Sequence, residues 1–230
     1  GQIEEINTTT NYWNWELASY LTNATIGRIL ALQKIYLEMI PVHGSILEFG
    51  CHCGTSSILM SQFRSLYEPY NSSRQFHLFD TFTGIPDQQS SKDLSKSKFN
   101  FALSSDFKER LKNNINSQSK IQQNSAKSSK IEIHQGNVTD SLPQFLTNNP
   151  HLIASLIIID MDLYEITKFT LNKVKPLLRE GSIVVLGGIN SPYMPGTTTA
   201  LNETYLAKYK LYNIPFMPYL GYIKIDSNTI

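Results

Sequence analysis

Apolar positions recur at helical spacing over residues 16–40, where Leu17, Leu21, Ile26, Ile29, Leu30, Leu32, Ile35, Leu37 and Ile40 make one broad face that stops at Pro41. A short strand, Ser45–Phe49, then runs into glycines and a helix over Thr55–Leu66. Phe76–Phe79 and Lys130–His134 read as two further strands, closed by Asp80 and by Gln135-Gly136-Asn137. Leu152–Ile159 is almost unbroken in its apolar character and ends at Asp160, the pattern of a strand buried on both faces in the middle of a parallel sheet. A helix over Glu165–Leu178 leads to a fifth strand, Ser182–Leu186. The tail, Tyr209–Ile225, predicts two strands interrupted by Pro215 and Pro218. Strands alternating with helices predict an α/β fold, an open and mostly parallel sheet with right-handed crossovers.

One stretch breaks this rhythm. Residues 88–130 are dominated by Ser, Lys, Asn and Gln, with an amphipathic patch around Phe99–Leu111. They predict a polar surface insertion carrying a helix near Ser105–Asn114. At 230 residues, the chain is expected to form one domain over 1–230, with a helical N-terminal segment over 1–44. Twenty basic residues against nineteen acidic leave a net charge of +1, which argues against a nucleic-acid binder working through a basic face. The apolar runs are too short to cross a bilayer, and no basic-then-apolar leader opens the chain. The whole thiol inventory is Cys51 and Cys53, one residue apart and badly placed to pair with each other. Cys51-His52-Cys53 makes a poor tetrahedral metal site, so a reduced, cytoplasmic protein is expected.

Ligands in open α/β sheets bind outside the carboxyl ends of the strands, and four segments here end a strand with usable chemistry. The first runs from Glu48 through Gly50, Cys51 and Gly54 to Thr55 and Ser56. Its glycines either let a ligand approach the backbone or serve only a tight turn, and the helix start offers unpaired N–H groups. Their spacing, Gly-x-x-x-Gly, is not that of a dinucleotide site. In the second, Asp80-Thr81, the acid suits both hydroxyls of a ribose or, alternatively, an Asx turn. The third, Gly136-Asn137, suits a purine edge or a simple turn. The fourth is Asp160-Met161-Asp162, whose second acid reads either as chemistry or as a helix N-cap. Arg28 is a candidate for a cofactor carboxylate or for a surface role, and Tyr12, Trp13, Trp15 and Tyr20 for a pocket lid or for N-terminal packing.

Together these segments resemble the class I S-adenosylmethionine-dependent methyltransferases, and more closely the macrocin O-methyltransferase family, over about residues 25–225. The phrases that carry the resemblance are Ile46-Leu47-Glu48-Phe49-Gly50 with Gly54-Thr55-Ser56, Phe79-Asp80-Thr81-Phe82-Thr83-Gly84, Gly136-Asn137-Val138 and Ile159-Asp160-Met161-Asp162-Leu163-Tyr164. The resemblance implies a Rossmann-like methyltransferase sheet with helices on both faces and an antiparallel last strand. It implies S-adenosylmethionine as cofactor, with Glu48, Gly50 and Gly54 around the methionine part, Asp80 on the ribose and Gly136 and Asn137 at the adenine. The expected acceptor is a hydroxyl of a small molecule, a sugar or a glycosylated metabolite. Neither nucleic acid nor a membrane is expected as partner, and a homodimer is left open.

One departure changes the picture. The family's fifth strand ends in two acids that join the first acid of the Asp160 motif in holding a divalent cation, but here both positions are glycine, Gly187 and Gly188. Asp160 alone cannot supply the hard oxygen set that Mg²⁺ demands. Two readings follow: an O-methyltransferase that works without metal, with Asp162 or a nearby imidazole taking the proton, or a protein that binds the cofactor and has lost catalysis.

Overall fold

The computed structural model of this chain describes residues 17–85, 90–93, 104, 106–121 and 130–226. Tyr12, Trp13, Trp15 and much of the expected insertion lie outside the described residues. The strands are β1 (Ser45–Phe49), β2 (Phe76–Asp80), β3 (Ile131–Gln135), β4 (Ala154–Ile159), β5 (Leu178–Leu186), β6 (Leu211–Asn213) and β7 (Gly221–Lys224). They make one sheet in the order β3-β2-β1-β4-β5-β7-β6. β1 to β5 run parallel, while β7 is antiparallel to both of its neighbours. The chain leaves β1 towards one side of the sheet and returns through β4 on the other, so the switch point lies between β1 and β4.

The described helices are α1 (Asn23–Met39), α2 (Thr55–Tyr67), α3 (Phe107–Ile121), α4 (Val138–Asn148), α5 (Tyr164–Val174) and α6 (Pro195–Asn202). Strand side chains alternate between the two faces. Ile46, Leu78, Leu156, Ile158, Ile183 and Val185 join Leu32, Ile35, Tyr36 and Met39 of α1, Met60 of α2 and Leu111 of α3 in one core. Leu47, Phe49, Phe79, Ile157, Ile159, Val184 and Leu186 join Leu142 and Phe145 of α4, Ile166 and Leu171 of α5 and Leu201 of α6 in the other. The central strands are buried on both faces, which is why their sequences carry no polar alternation.

Several elements depart from expectation: the first helix begins at Asn23, with Leu17–Tyr20 a separate 3-10 turn before it, and the helix of the insertion runs from Phe107 to Ile121. α4 was not anticipated, because Pro143 sits inside it and lacks the N–H that would continue the helical ladder. Its start is nevertheless well capped, since the Asn137 side chain accepts from Thr139 N at 3.1 Å. The helix expected over Glu165–Leu178 ends at Val174, and Pro176 lies in a 3-10 turn, Lys175–Leu177, that leads directly into a longer β5. β4 begins at Ala154, two residues after the expected start.

The amino ends of the central strands are tied together by one buried cation. Arg74, 3% exposed, donates to both Glu68 oxygens at 2.7 and 3.0 Å, to Ser155 Oγ at 2.5 Å, and to the carbonyls of Gly44 and Val42 at 3.0 and 3.1 Å. It thus joins the end of α2, the entry to β1 and the entry to β4. Burial acts to raise the Glu68 carboxyl, but hydrogen bonds from Arg74, Tyr36 and Asn71 outweigh it and hold the group below the usual carboxylate range. Arg74→Met is expected to cost about 3–5 kcal/mol in urea unfolding, because it strands Glu68 and the carbonyls of Gly44, Val42 and Ile40, the last at 3.3 Å from the guanidinium. Glu68 has a lowered pKa in the folded state, so its contribution is present above the ordinary carboxylate range and lost as the pH falls. The stability gap between wild type and Arg74→Met should therefore narrow in acid.

Candidate active site

The parallel ladder continues one residue beyond the strands at their carboxyl ends. Gly136 N donates to Asp80 O at 3.0 Å, Gly50 N to Phe79 O at 2.9 Å, Asp160 N to Phe49 O at 2.9 Å and Gly187 N to Ile159 O at 2.9 Å. Four segments far apart in sequence therefore begin their loops along one line. Above that line opens a cavity of about 480 Å³, within the range of small-ligand sites.

Gly50, Asp80, Thr81, Gly136, Asn137, Asp160, Asp162 and Gly188 line this cavity, together with Arg28. Glu48, Cys51, Gly54, Thr55 and Ser56 do not. Glu48 is 3% exposed under the β1–α2 turn, where Ser57 donates to it from both its backbone N and its hydroxyl. Burial pushes its carboxyl up to about 7 against those hydrogen bonds. Cys51 belongs to the core, and a Cβ on Gly54 would stand 2.7 Å from Leu111 of α3. These residues shape the turn from behind.

Asp80 does two jobs. Its Oδ1 accepts from Phe82 N at 2.7 Å, which closes the Asx turn, and its Oδ2 accepts from His52 N at 2.7 Å, which clamps the β1–α2 turn. Each oxygen retains a second lone pair towards the cavity side. Gly50 has φ +80°, and a Cβ there would run into the carbonyl of Asp160. Its smallness therefore serves the close approach of the β1 and β4 ends as well as the open cradle above.

The acid pair follows β4. Asp162 holds a left-handed backbone at φ +63°, uncommon for a residue other than glycine, and does not cap α5, whose N-cap is Leu163 without a side-chain bond. Desolvation, then the charge of Asp162, pushes Asp160 up to about 7, with Arg28 opposing. Burial alone pushes Asp162 up to about 6. The two glycines that follow β5 face this pair: a Cβ on Gly187 would land on the Asp160 carboxylate, and one on Gly188 would stand 3.4 Å from Asp162 Oδ1. Among the described residues no third carboxylate, imidazole or thiolate joins these two in a cation-binding group. Asn190, whose side chain could offer an amide oxygen, does not line the cavity. Two carboxylates that hold protons this readily, with no further ligand, do not fit a bound Mg²⁺.

Several lining residues gave no signal in the sequence. Tyr219, from the loop before β7, accepts a 2.5 Å hydrogen bond from Arg28 of α1, so the last loop and the first helix close one wall together. Met161, Ser191 and Met194 fill the wall near the acid pair. A described fragment of the insertion docks there too: Asp93 Oδ1 accepts from Tyr164 N at 3.0 Å, and Lys92 donates to Tyr164 Oη at 2.8 Å.

A family described as Macrocin-O-methyltransferase (TylF) matches residues 26–203 of the chain. Among solved structures, the calicheamicin methyltransferase CalS11 is 27% identical, with a TM-score of 0.84 over 96% of this chain and 89% of that one. A second structure of CalS11, described as a TDP-rhamnose 3'-O-methyltransferase, is 25% identical, with a TM-score of 0.78 over 94% and 86%. The O-methyltransferase NovP shares the fold at 21% identity and a TM-score of 0.67 over 87% and 80%. No curated protein sequence matches the chain. Among the described residues no helix is long and apolar enough to cross a membrane.

Asp160 and Asp162 have folded-state pKa values raised above the unfolded value, so they bind protons that the unfolded chain releases. Stability is therefore lost as the pH rises from about 4 to about 7. Asp160→Asn is expected to raise the melting temperature more at pH 8 than at pH 5, as measured by thermal denaturation at both values.

Proposed function

The chain belongs to the macrocin O-methyltransferase family, and on that premise we propose that it transfers the methyl group of S-adenosylmethionine to a hydroxyl of a sugar or glycosylated metabolite without a bound metal ion. The observation that carries this reading is the Asp162 carboxyl, lining the cavity with a pKa near 6 on a strained backbone beside Gly188. A sugar acceptor is supported by the likeness to CalS11, whose description names a rhamnose nucleotide. Cofactor binding without catalysis finds no support in these relatives, all of which are described as methyltransferases.

The cavity suits the cofactor in its own residues. Asp80, oriented by two backbone N–H groups, has lone pairs left for the ribose hydroxyls. A Cβ on Gly136 would meet no atom within 4 Å, so the backbone there leaves room for a flat base, with Asn137 beside it. Arg28, steadied by Tyr219, offers a guanidinium for the amino-acid carboxylate. Bound there, the cofactor supplies an electrophilic methyl group.

The protein's share of the chemistry is proton removal and positioning. Asp162, largely ionised at neutral pH, accepts the proton of the acceptor hydroxyl as its oxygen becomes nucleophilic. Asp160, raised further, shares the local negative charge by retaining a proton in part of the population. Met194 and Ser191, from the loop before α6, line the cavity near the acid pair, and specificity for the acceptor is set by such loops.

Calorimetry with S-adenosylmethionine and S-adenosylhomocysteine is expected to show saturable binding of both, and the absence of heat with either would overturn the reading. With labelled cofactor and glycosylated acceptors, Asp162→Asn should lower kcat by about 100-fold or more while cofactor affinity is retained. In the wild type kcat should climb with pH through about 6. Turnover should not depend on added Mg²⁺ or Mn²⁺. A strict requirement for either would overturn the metal-free mechanism and leave the transferase assignment standing.

A further inference from the structure

His77, Glu132 and His134 form the group of potential metal ligands found among the described residues, and it lies apart from the acid pair. His77 is on β2, and Glu132 and His134 are on the neighbouring edge strand β3. The parallel register sets His77 opposite Glu132 and Phe79 opposite His134, so all four side chains share one face of the sheet. Three atoms converge: His77 Nδ1 is 3.4 Å from Glu132 Oε2 and 3.4 Å from His134 Nε2, and the remaining edge of the triangle is 4.0 Å.

A tetrahedral ion with bonds of about 2.0–2.1 Å has ligand–ligand edges of about 3.3–3.4 Å. Two edges of this triangle match, and the 4.0 Å one ends on Glu132, whose side chain is 34% exposed and free to adjust. Lys130 already holds the other carboxylate oxygen of Glu132, leaving Oε2 directed at the imidazoles. Burial lowers both histidines, His77 to about 4, so each presents a neutral ring at physiological pH. The protein alone serves His77 poorly. Its side chain is 2% exposed and its Nδ1 contacts are long for hydrogen bonds.

We propose that His77 Nδ1, His134 Nε2 and Glu132 Oε2 bind a borderline divalent transition ion of the Zn²⁺ class, with water as a fourth ligand from the open edge of β3. Two imidazoles and one carboxylate suit Zn²⁺, whereas Mg²⁺ prefers an all-oxygen set. The ion would be structural. It would pin β3 to β2 beneath Phe79, which stacks on His134 at 4.6 Å and lines the cavity.

The test is titration of tag-free, metal-stripped full-length protein with Zn²⁺ and Co²⁺. The expected results are one equivalent bound, a rise in melting temperature with Zn²⁺, and the visible absorption of tetrahedral Co²⁺. His134→Ala and Glu132→Gln, both at partly exposed positions, should each weaken binding by about tenfold or more with unchanged circular dichroism, and Cys53→Ser should not. Absence of stoichiometric binding, an octahedral Co²⁺ spectrum, or binding lost with Cys53 rather than with His134 and Glu132 would overturn the proposal. None of these readouts depends on methyl transfer.

Discussion

The cavity depends on one row of backbone hydrogen bonds. Gly136, Gly50, Asp160 and Gly187 each donate one residue past a strand to the carbonyl at or near the end of its neighbour, so the ladder sets where each loop departs. In a parallel sheet every carboxyl end points the same way, and a shared register brings those ends level. Loops that begin level converge on one ligand. A slip of one residue in any strand would turn its side chains to the other face and carry its loop out of the row.

The same row explains why glycines accumulate at the site. Asp160 is packed between two of them: Gly50 leaves space for its carbonyl and Gly187 for its carboxylate. An acid at 187 would occupy the volume that the Asp160 carboxylate fills, so the exchange of acids for glycines alters geometry as well as charge. Of the two desolvated carboxylates, Asp160, raised to about 7, keeps a proton in part of the population at neutral pH, while Asp162, raised to about 6, is largely ionised there. Such a pair is matched to moving a proton and poorly matched to holding a hard dication. It destabilises the fold at neutral pH, a common cost of functional sites.

The opposite end of the sheet is built for stability. Arg74 gathers Glu68, Ser155 and loop carbonyls at the strand entries, and desolvation of the pair is offset by filling most of the guanidinium's hydrogen-bonding capacity. Along the outer edge, His77, Glu132 and His134 place polar groups on an otherwise apolar face beside Phe79 and Phe145. The Arg74 network lies at the strand entries, whereas strain, at Asp162, and open volume lie at the carboxyl ends.

The sequence by itself determined where the strands fall along the chain and that most of them run parallel. An unbroken run such as Leu152–Ile159 can be satisfied only between two covered faces, and Pro41 and the glycines after Phe49 mark boundaries by local sterics. Asp80, Asp160, Asp162 and Gly136 line the cavity, and each was legible because it stands where a strand stops, which too is local. The helix at Val138–Asn148 was hidden by Pro143, because its amphipathic packing on Phe79 and Leu47 outweighs the lost hydrogen bond, and packing is not a local property. The roles of Gly187 as a seat for Asp160, of Tyr219 as partner to Arg28, and of His77 beside Glu132 and His134 were decided only by tertiary structure. These groups lie tens to nearly two hundred residues apart along the chain. Their meeting depends on strand order and register, which arise from the packing of both faces at once, and no short stretch of chain encodes them.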